Sequence, residues 1–205
     1  MYIPRQVKDA LPLDVSRKTI EEFAAKVRAQ ILLPNHSGSV EKMARALGGT
    51  INRAGTDRAE GMDDFFVAYA GRFVACVVDL SHIARWHDTV AVDTAKAIGH
   101  YMMHYKTHRV REGRAADRIG MVVQRYPKTN DINASDVNNE GHWFAWELIA
   151  PAHDVAKAYA GSHLTTDVDK IFDVARSLRV SENVVRIQID RARQLGLIKE
   201  KALIA

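Results

Sequence analysis

The sequence predicts an α+β protein that is mostly helical and contains a small antiparallel sheet. Two observations predict this class: apolar residues recur at helical spacing through most of the chain, and one segment has the alternation typical of a β-hairpin. The length of 205 residues suits one domain with a small appended part. We therefore expect a main domain at residues 1–164 and a helical C-terminal segment, packed on it, at residues 165–205.

The N-terminal part of the chain predicts two helices. Ser16 is suited to cap a helix that runs to about Leu33, because the apolar residues that follow it recur every three or four positions. Proline, asparagine and glycine at residues 34–38 then break the chain. Ser39 is suited to cap a shorter helix, which the glycine pair at residues 48–49 ends.

A hairpin and two longer helices follow. Two runs rich in aromatic and β-branched residues, 65–69 and 72–78, flank a turn that contains glycine, which is typical of a β-hairpin. Asp93 is suited to cap the next helix, and Ser135 to open another that Pro151 ends.

The C-terminal segment predicts two more helices, at about residues 168–178 and 182–195, with Ser181 as the cap of the second. A small residue, Ala175, would let the two helices cross closely, so the pair resembles a helix-turn-helix. In such an arrangement, exposed arginines of the second helix are candidates for contact with DNA. These candidates are Arg186, Arg191 and Arg193.

The charge of the chain is mildly basic and unevenly distributed. Lys and Arg number 29 against 25 Asp and Glu, a net charge of +4. Seven basic residues against two acidic ones fall between Tyr105 and Lys128, so this segment is a second candidate for phosphate contact. The candidates in this segment are Arg109, Arg111 and Arg114.

A lone cysteine, Cys76, excludes a disulfide framework, and no apolar run approaches the roughly 20 residues of a membrane span. We expect a cytoplasmic protein.

Two stretches carry a family resemblance. Residues 92–104 contain Gly-His-Tyr-Met-Met-His, and residues 138–151 contain Phe-Ala-Trp-Glu-Leu-Ile-Ala-Pro. Together they resemble the two metal-binding helices of the ImmA/IrrE family of zinc metallopeptidases, and the resemblance extends over roughly residues 17–198. It implies a zincin-like fold, in which an H-E-x-x-H helix and a later glutamate bind zinc.

The positions that matter for catalysis depart from the family pattern. Lys96 stands at the first histidine, Ala97 at the glutamate and Asn138 at the third ligand, and only His100 matches. An ammonium is a poor ligand at neutral pH, and alanine cannot take a proton from bound water. We therefore expect no bound metal, no cofactor and no peptidase activity, which makes the chain a pseudo-peptidase.

Active members of this family act on helix-turn-helix repressors of mobile elements or stress regulons. The resemblance thus implies a non-catalytic regulator whose degenerate cleft binds a protein partner, such as a repressor of a phage or mobile element. The cleft residues we expect are Lys96, His100, Asn138, Glu140 and His142. One alternative is a DNA-binding regulator that uses the basic segment and the C-terminal helices. Another is a metallopeptidase with displaced ligands, which would be His100, His104, Glu140 and His142.

Overall fold

The structure is a computed structural model that describes residues 6–32, 40–54, 64–78, 89–113, 115, 118–124 and 131–199. The strands are β1 (Gln6–Asp9), β2 (Gly49–Ala54), β3 (Asp64–Tyr69), β4 (Arg72–Val78) and β5 (Ile119–Gln124). The helices are α1 (Arg17–Val27), α2 (Val40–Ala46), α3 (Thr89–Gly99), α4 (Lys106–Glu112), α5 (Ile132–Ile149), α6 (Ala152–Gly161), α7 (Asp167–Leu178) and α8 (Glu182–Gln194). Two π-helical segments, Arg28–Leu32 and His100–Tyr105, continue α1 and join α3 to α4. The α+β class and the predominance of helix are confirmed.

The predicted hairpin is confirmed, but the prediction of an antiparallel sheet is wrong. β3 and β4 pair antiparallel around Ala70 and Gly71, which both have positive φ, as a two-residue hairpin turn of this type requires. Within the described residues the sheet has the strand order β1-β5-β3-β4-β2, and it is mixed because β1 runs parallel to β5 and β2 parallel to β4. All four residues of β1 are exposed, so no alternation of polar and apolar residues marks this edge strand in the sequence.

Local hydrogen bonds fix several helix ends where the sequence predicts them. The Ser16 hydroxyl accepts a hydrogen bond from the Thr19 N–H, and the Ser181 hydroxyl accepts one from the Val184 N–H. Gly48 follows α2 with a φ of 82°. The predicted cap Ser39 and the break at residues 34–38 lie outside the described residues.

Two predicted helix starts are wrong by about one turn. α3 begins at Thr89, so Asp93 lies inside the helix instead of capping it. α5 begins at Ile132, because the Asp131 carboxylate accepts a hydrogen bond from the Ala134 N–H at 3.0 Å, so Ser135 is also inside its helix. In both cases the sequence offers a second residue suited to cap the helix, about one turn upstream. The spacing of the apolar residues does not distinguish between the two caps.

The main core lies between the sheet and helices α1, α3 and α5. Phe66 and Phe73 of the sheet and Ile98 of α3 are buried in this core, while Phe144 and Leu148 carry the buried face of α5. α3 and the π-helical segment that continues it therefore pack alongside α5. This contact brings the chemically active side chains of both helices together.

A second cluster joins α6, α7 and α8 to the end of α5. Val184, Val185 and Ile189 of α8 are buried in it, as their spacing predicts. Helix α6, which begins directly after Pro151, was not predicted from the sequence. That proline ends α5 and also precedes the first turn of α6, where the lack of an N–H costs nothing. Whether α7 and α8 resemble a helix-turn-helix stays a prediction.

Candidate functional site

The candidate site lies where α3 and the π-helical segment His100–Tyr105 pack against α5. π-helical turns are rare and often occur at functional sites. We call the group of polar side chains between these helices the buried cluster. Its members are Lys96, His100, His104, Asn138, Glu140 and His142.

Glu140 anchors one end of the buried cluster. Its carboxylate accepts hydrogen bonds from the Leu13 N–H at 3.0 and 3.2 Å, and it lies 2.7 Å from His104 Nε2. The carboxylate is an acceptor only, so His104 donates its Nε2–H. Glu140 therefore ties both the π-helical segment and the chain that precedes α1 to α5.

The bond to Glu140 determines the proton positions on the neighbouring ring. The Nδ1 atoms of His100 and His104 lie 3.3 Å apart. The tautomer in which His104 donates to Glu140 and accepts at Nδ1 from His100 would leave a lone pair on His100 Nε2. That Nε2 atom is buried and has no hydrogen-bond partner among the described residues.

Burial keeps His100 neutral. The ring is fully buried, with its edge toward Phe65 and an additional contact with Phe66. Desolvation is the main reason that the pKa of His100 lies well below its usual value of 6.5, and electrostatic interactions with His104, Lys96 and His142 lower it further. At neutral pH this imidazole is a buried hydrogen-bond acceptor.

Lys96 occupies the other end of the buried cluster. Its ammonium donates a hydrogen bond to Asn138 Oδ1 at 2.7 Å, lies 3.4 Å from His142 Nε2 and sits 4.9 Å from the centre of the Phe65 ring. Asn138 is oriented for this contact because its Nδ2 donates to the Ala134 carbonyl at 2.9 Å. Lys96 therefore contacts Asn138 and His142, while Glu140 bonds to His104.

His142 is neutral for a similar reason. Burial first, and the nearby Lys96 ammonium second, lower the pKa of His142 to about 4. Its Nε2 can then accept from Lys96, and the ring stacks on Trp146 with centroids 5.3 Å apart. Nδ1 of His142 is buried and has no hydrogen-bond partner among the described residues.

The five predicted cleft residues do not have equal access to solvent. Lys96, His100 and Glu140 are buried, with relative exposures of 7%, 0% and 4%. Asn138 and His142 are half-buried and reach the surface. The structure thus brings all five together, but only these two can contact a partner without movement of the helices.

The residues present do not fit the zinc site that the resemblance implies. Zinc needs donors with free lone pairs. At the three ligand positions stand an ammonium, a buried imidazole and an amide oxygen that already accepts from that ammonium. In the described part of the chain no three His, Cys, Asp or Glu side chains are grouped so that they could hold a metal ion. This includes the displaced set of His100, His104, Glu140 and His142.

The predicted nucleic-acid contacts fall into two groups. On α8, Arg191 forms a bidentate ion pair with Glu21 of α1, at 2.6 and 2.8 Å, and only 13% of its side chain is exposed, so it is poorly accessible to DNA. Arg186 and Arg193 are exposed but pair with Glu182 and Asp190 of their own helix. On α4, Arg109 and Arg111 are exposed, and Arg114 lies outside the described residues.

Sequence reasoning missed three features of this region. The Leu13 N–H holds Glu140, Phe65 lies under Lys96, and Glu21 binds Arg191. The residues of the last pair are separated by 170 positions, and a backbone donor carries no side-chain signature. Only Phe65 had a usable signal, because it belongs to the predicted hairpin.

The comparisons with known proteins leave the family open. No protein-family model and no curated protein matches the chain. Among the described residues, no helix combines the length and apolar character that crossing a membrane requires.

Proposed function

We propose that this protein is a non-catalytic regulator that binds a protein partner, a helix-turn-helix repressor of a phage or mobile element, at the surface above the buried cluster. The observation that carries the proposal is the 2.7 Å hydrogen bond from Lys96 to Asn138. It joins two positions at which the resemblance to metallopeptidases implies metal ligands. The fold of an ImmA/IrrE-like peptidase would thus be kept without its catalytic centre.

The chemistry of the cluster supports a binding role over hydrolysis. Ala97, at the position of the general base, is buried and has no group that could take a proton from water. The carboxylate in the cluster, Glu140, is held by Leu13 and His104. A peptide bond brought to this place would therefore meet no free carboxylate of the buried cluster.

The surface for the partner is the outward stripe of α5. Its members are spaced three or four residues apart, so they lie on one helix face. Ser135 and Asn139 are exposed, and His142 and Trp146 are half-buried and stacked on each other. Tryptophan is enriched at the centres of protein interfaces, and Trp146 is half-buried on this helix face. The stripe consists of Ser135, Asn139, His142 and Trp146.

The test is a binding assay against purified helix-turn-helix repressors encoded by the same genome. Asn139→Glu adds a charge to the stripe without touching the buried cluster, and we expect it to weaken binding by about tenfold or more. Asn183→Glu, at an exposed position of α8, is the matched control and should leave affinity unchanged. Mass spectrometry should find the bound repressor intact. A cleaved repressor, or equal effects of both variants, would contradict the proposal.

A second candidate function is contact with nucleic acid through α4. The observation in its favour is that Lys106, Arg109 and Arg111 are all exposed on this short helix, while the acidic Glu112 is paired with Lys8. On α8, Arg191 favours it less, because only 13% of its side chain is exposed beside Glu21. Such a role would be electrostatic and without sequence preference.

A further inference from the structure

We infer that the Lys96 ammonium is a built-in cation that holds α3 to α5 and keeps divalent metal ions out of the space between His100, Asn138 and His142. This inference goes beyond the proposed function, because it does not depend on any partner. It concerns which ions the buried cluster binds, and it assigns the exclusion of divalent metal ions to the side chain of Lys96.

The surroundings of the ammonium are those of a bound cation. It contacts an amide oxygen at 2.7 Å, an imidazole nitrogen at 3.4 Å and the face of an aromatic ring at 4.9 Å. Each of these groups has its negative end toward the charge. The amide oxygen cannot turn away easily, since Asn138 is fixed through its Nδ2. The positive charge that this space favours is thus supplied by the chain itself.

The same ammonium opposes a metal ion in two ways. It repels a second positive charge, and the repulsion is strong where water is excluded. It also uses the lone pairs of Asn138 and His142 that a metal would need. Nε2 of His100 has no hydrogen-bond partner among the described residues, although it faces Gly141 of α5, as the Lys96 side chain does.

Replacement of Lys96 by histidine should therefore turn the cluster into a metal site. Positions 96 and 100 are one helical turn apart, which is the spacing at which two imidazoles bind one zinc ion. His142 Nε2 lies near the end of the Lys96 side chain and offers a third nitrogen. Three nitrogen donors and an open position are a common zinc environment.

The experiment compares four proteins: wild type, Lys96→His, Lys96→Met and the double variant Lys96→His/His100→Ala. Each is incubated with zinc, dialysed and assayed for metal content. Its thermal unfolding is then measured with and without zinc. We expect about one zinc per chain and a higher unfolding midpoint only in Lys96→His. Lys96→Met removes the charge without adding a ligand, and the double variant removes one of the nitrogens.

Two outcomes overturn the inference. One is a wild-type protein that retains zinc or is stabilised by it, because Lys96 then does not exclude metals. The other is a folded Lys96→His variant, by circular dichroism, that binds no more zinc than Lys96→Met. If Lys96→His does not fold, the zinc titration of the wild type still decides whether the site is closed. None of these results depends on whether a repressor binds, so failure of one proposal can be told from failure of the other.

Discussion

At the scale of single residues, Gly141 determines how closely α5 approaches the buried cluster. A Cβ atom at this position would lie 2.6 Å from His100 Cε1, 2.7 Å from His100 Nε2 and 3.0 Å from Lys96 Cγ. Distances this short are not tolerated, and His100 is enclosed on its other side by the rings of Phe65 and Phe66. Nε2 of His100 is therefore packed against Gly141, and a larger residue there would force the imidazole ring or α5 to shift.

We predict that Gly141→Ala destabilises the protein although alanine is the better helix former. The gain in helix propensity is about 1 kcal/mol, whereas overpacking of a dense core costs typically about 1–3 kcal/mol. We expect a net loss of up to about 2 kcal/mol in the free energy of unfolding, measured with urea. Gly161→Ala is the control, because its Cβ would meet no atom within 4 Å and it ends α6. If both variants were equally stable, the close contact with His100 would be absent in solution.

The sequence predicts the members of the buried cluster better than their connections. Lys96, His100, Asn138, Glu140 and His142 do come together, because helical spacing places them on facing sides of two helices. Which partner each one takes depends on side-chain rotamers and on groups from elsewhere in the chain. The Leu13 N–H, which holds Glu140 away from Lys96, is such a group.

At the scale of helices and strands, a buried ion pair joins α8 to α1. Glu21 receives hydrogen bonds from Arg191 and also from Arg17, at 2.7 Å, four residues earlier on α1. The side chains of Arg191 and Glu21 are 13% and 10% exposed, so they lose most of their hydration. Removal of one partner from such a pair leaves the other charge buried.

We predict that Arg191→Ala costs about 2–4 kcal/mol of stability, somewhat below the full cost of breaking a buried pair because Arg17 still reaches Glu21. Arg186→Ala is the matched control on the same helix. Its pair with Glu182 is 48% and 47% exposed, and its loss should cost less than about 1 kcal/mol. Chemical denaturation of both variants provides the measurement. A cost for Arg191→Ala as small as that for Arg186→Ala would mean that α8 is not fixed to α1 in solution.

Secondary structure follows from the sequence where its signal is local. The caps Ser16 and Ser181 and the turn at Gly71 are found where predicted, because each side chain or φ angle acts on its own neighbours. The edge strands β1 and β2 have no such signal, since they exist only through parallel pairing with distant strands. β5 was not predicted either, because it lies within the basic segment, and a basic segment does not indicate a buried strand.

At the scale of the whole molecule, the positive charge is not concentrated on the predicted recognition helix. The arginines of α8 are paired with Glu182, Asp190 and Glu21. These carboxylates reduce the positive electrostatic potential with which α8 could attract phosphates. The cations of α4 are candidates for phosphate contact because they are exposed. A protein of net charge +4 with this distribution should bind duplex DNA weakly and without sequence preference.

This expectation can be tested through the dependence of DNA affinity on salt. Each phosphate contact releases counterions, so the logarithm of the affinity falls with the logarithm of salt concentration by about 0.9 per contact. We predict that Arg109→Ala/Arg111→Ala lowers the affinity for duplex DNA. The slope should become shallower by the amount that corresponds to about two lost phosphate contacts. Arg186→Ala/Arg193→Ala, the matched pair on α8, should change neither, because its arginines are already neutralised by carboxylates. Binding should be measured at about 50 and 200 mM salt with two unrelated duplexes. Sequence-dependent binding that survives the higher salt and is lost in the α8 variant would instead identify α7 and α8 as a DNA-reading element, and regulation through DNA would then replace partner binding as the main function.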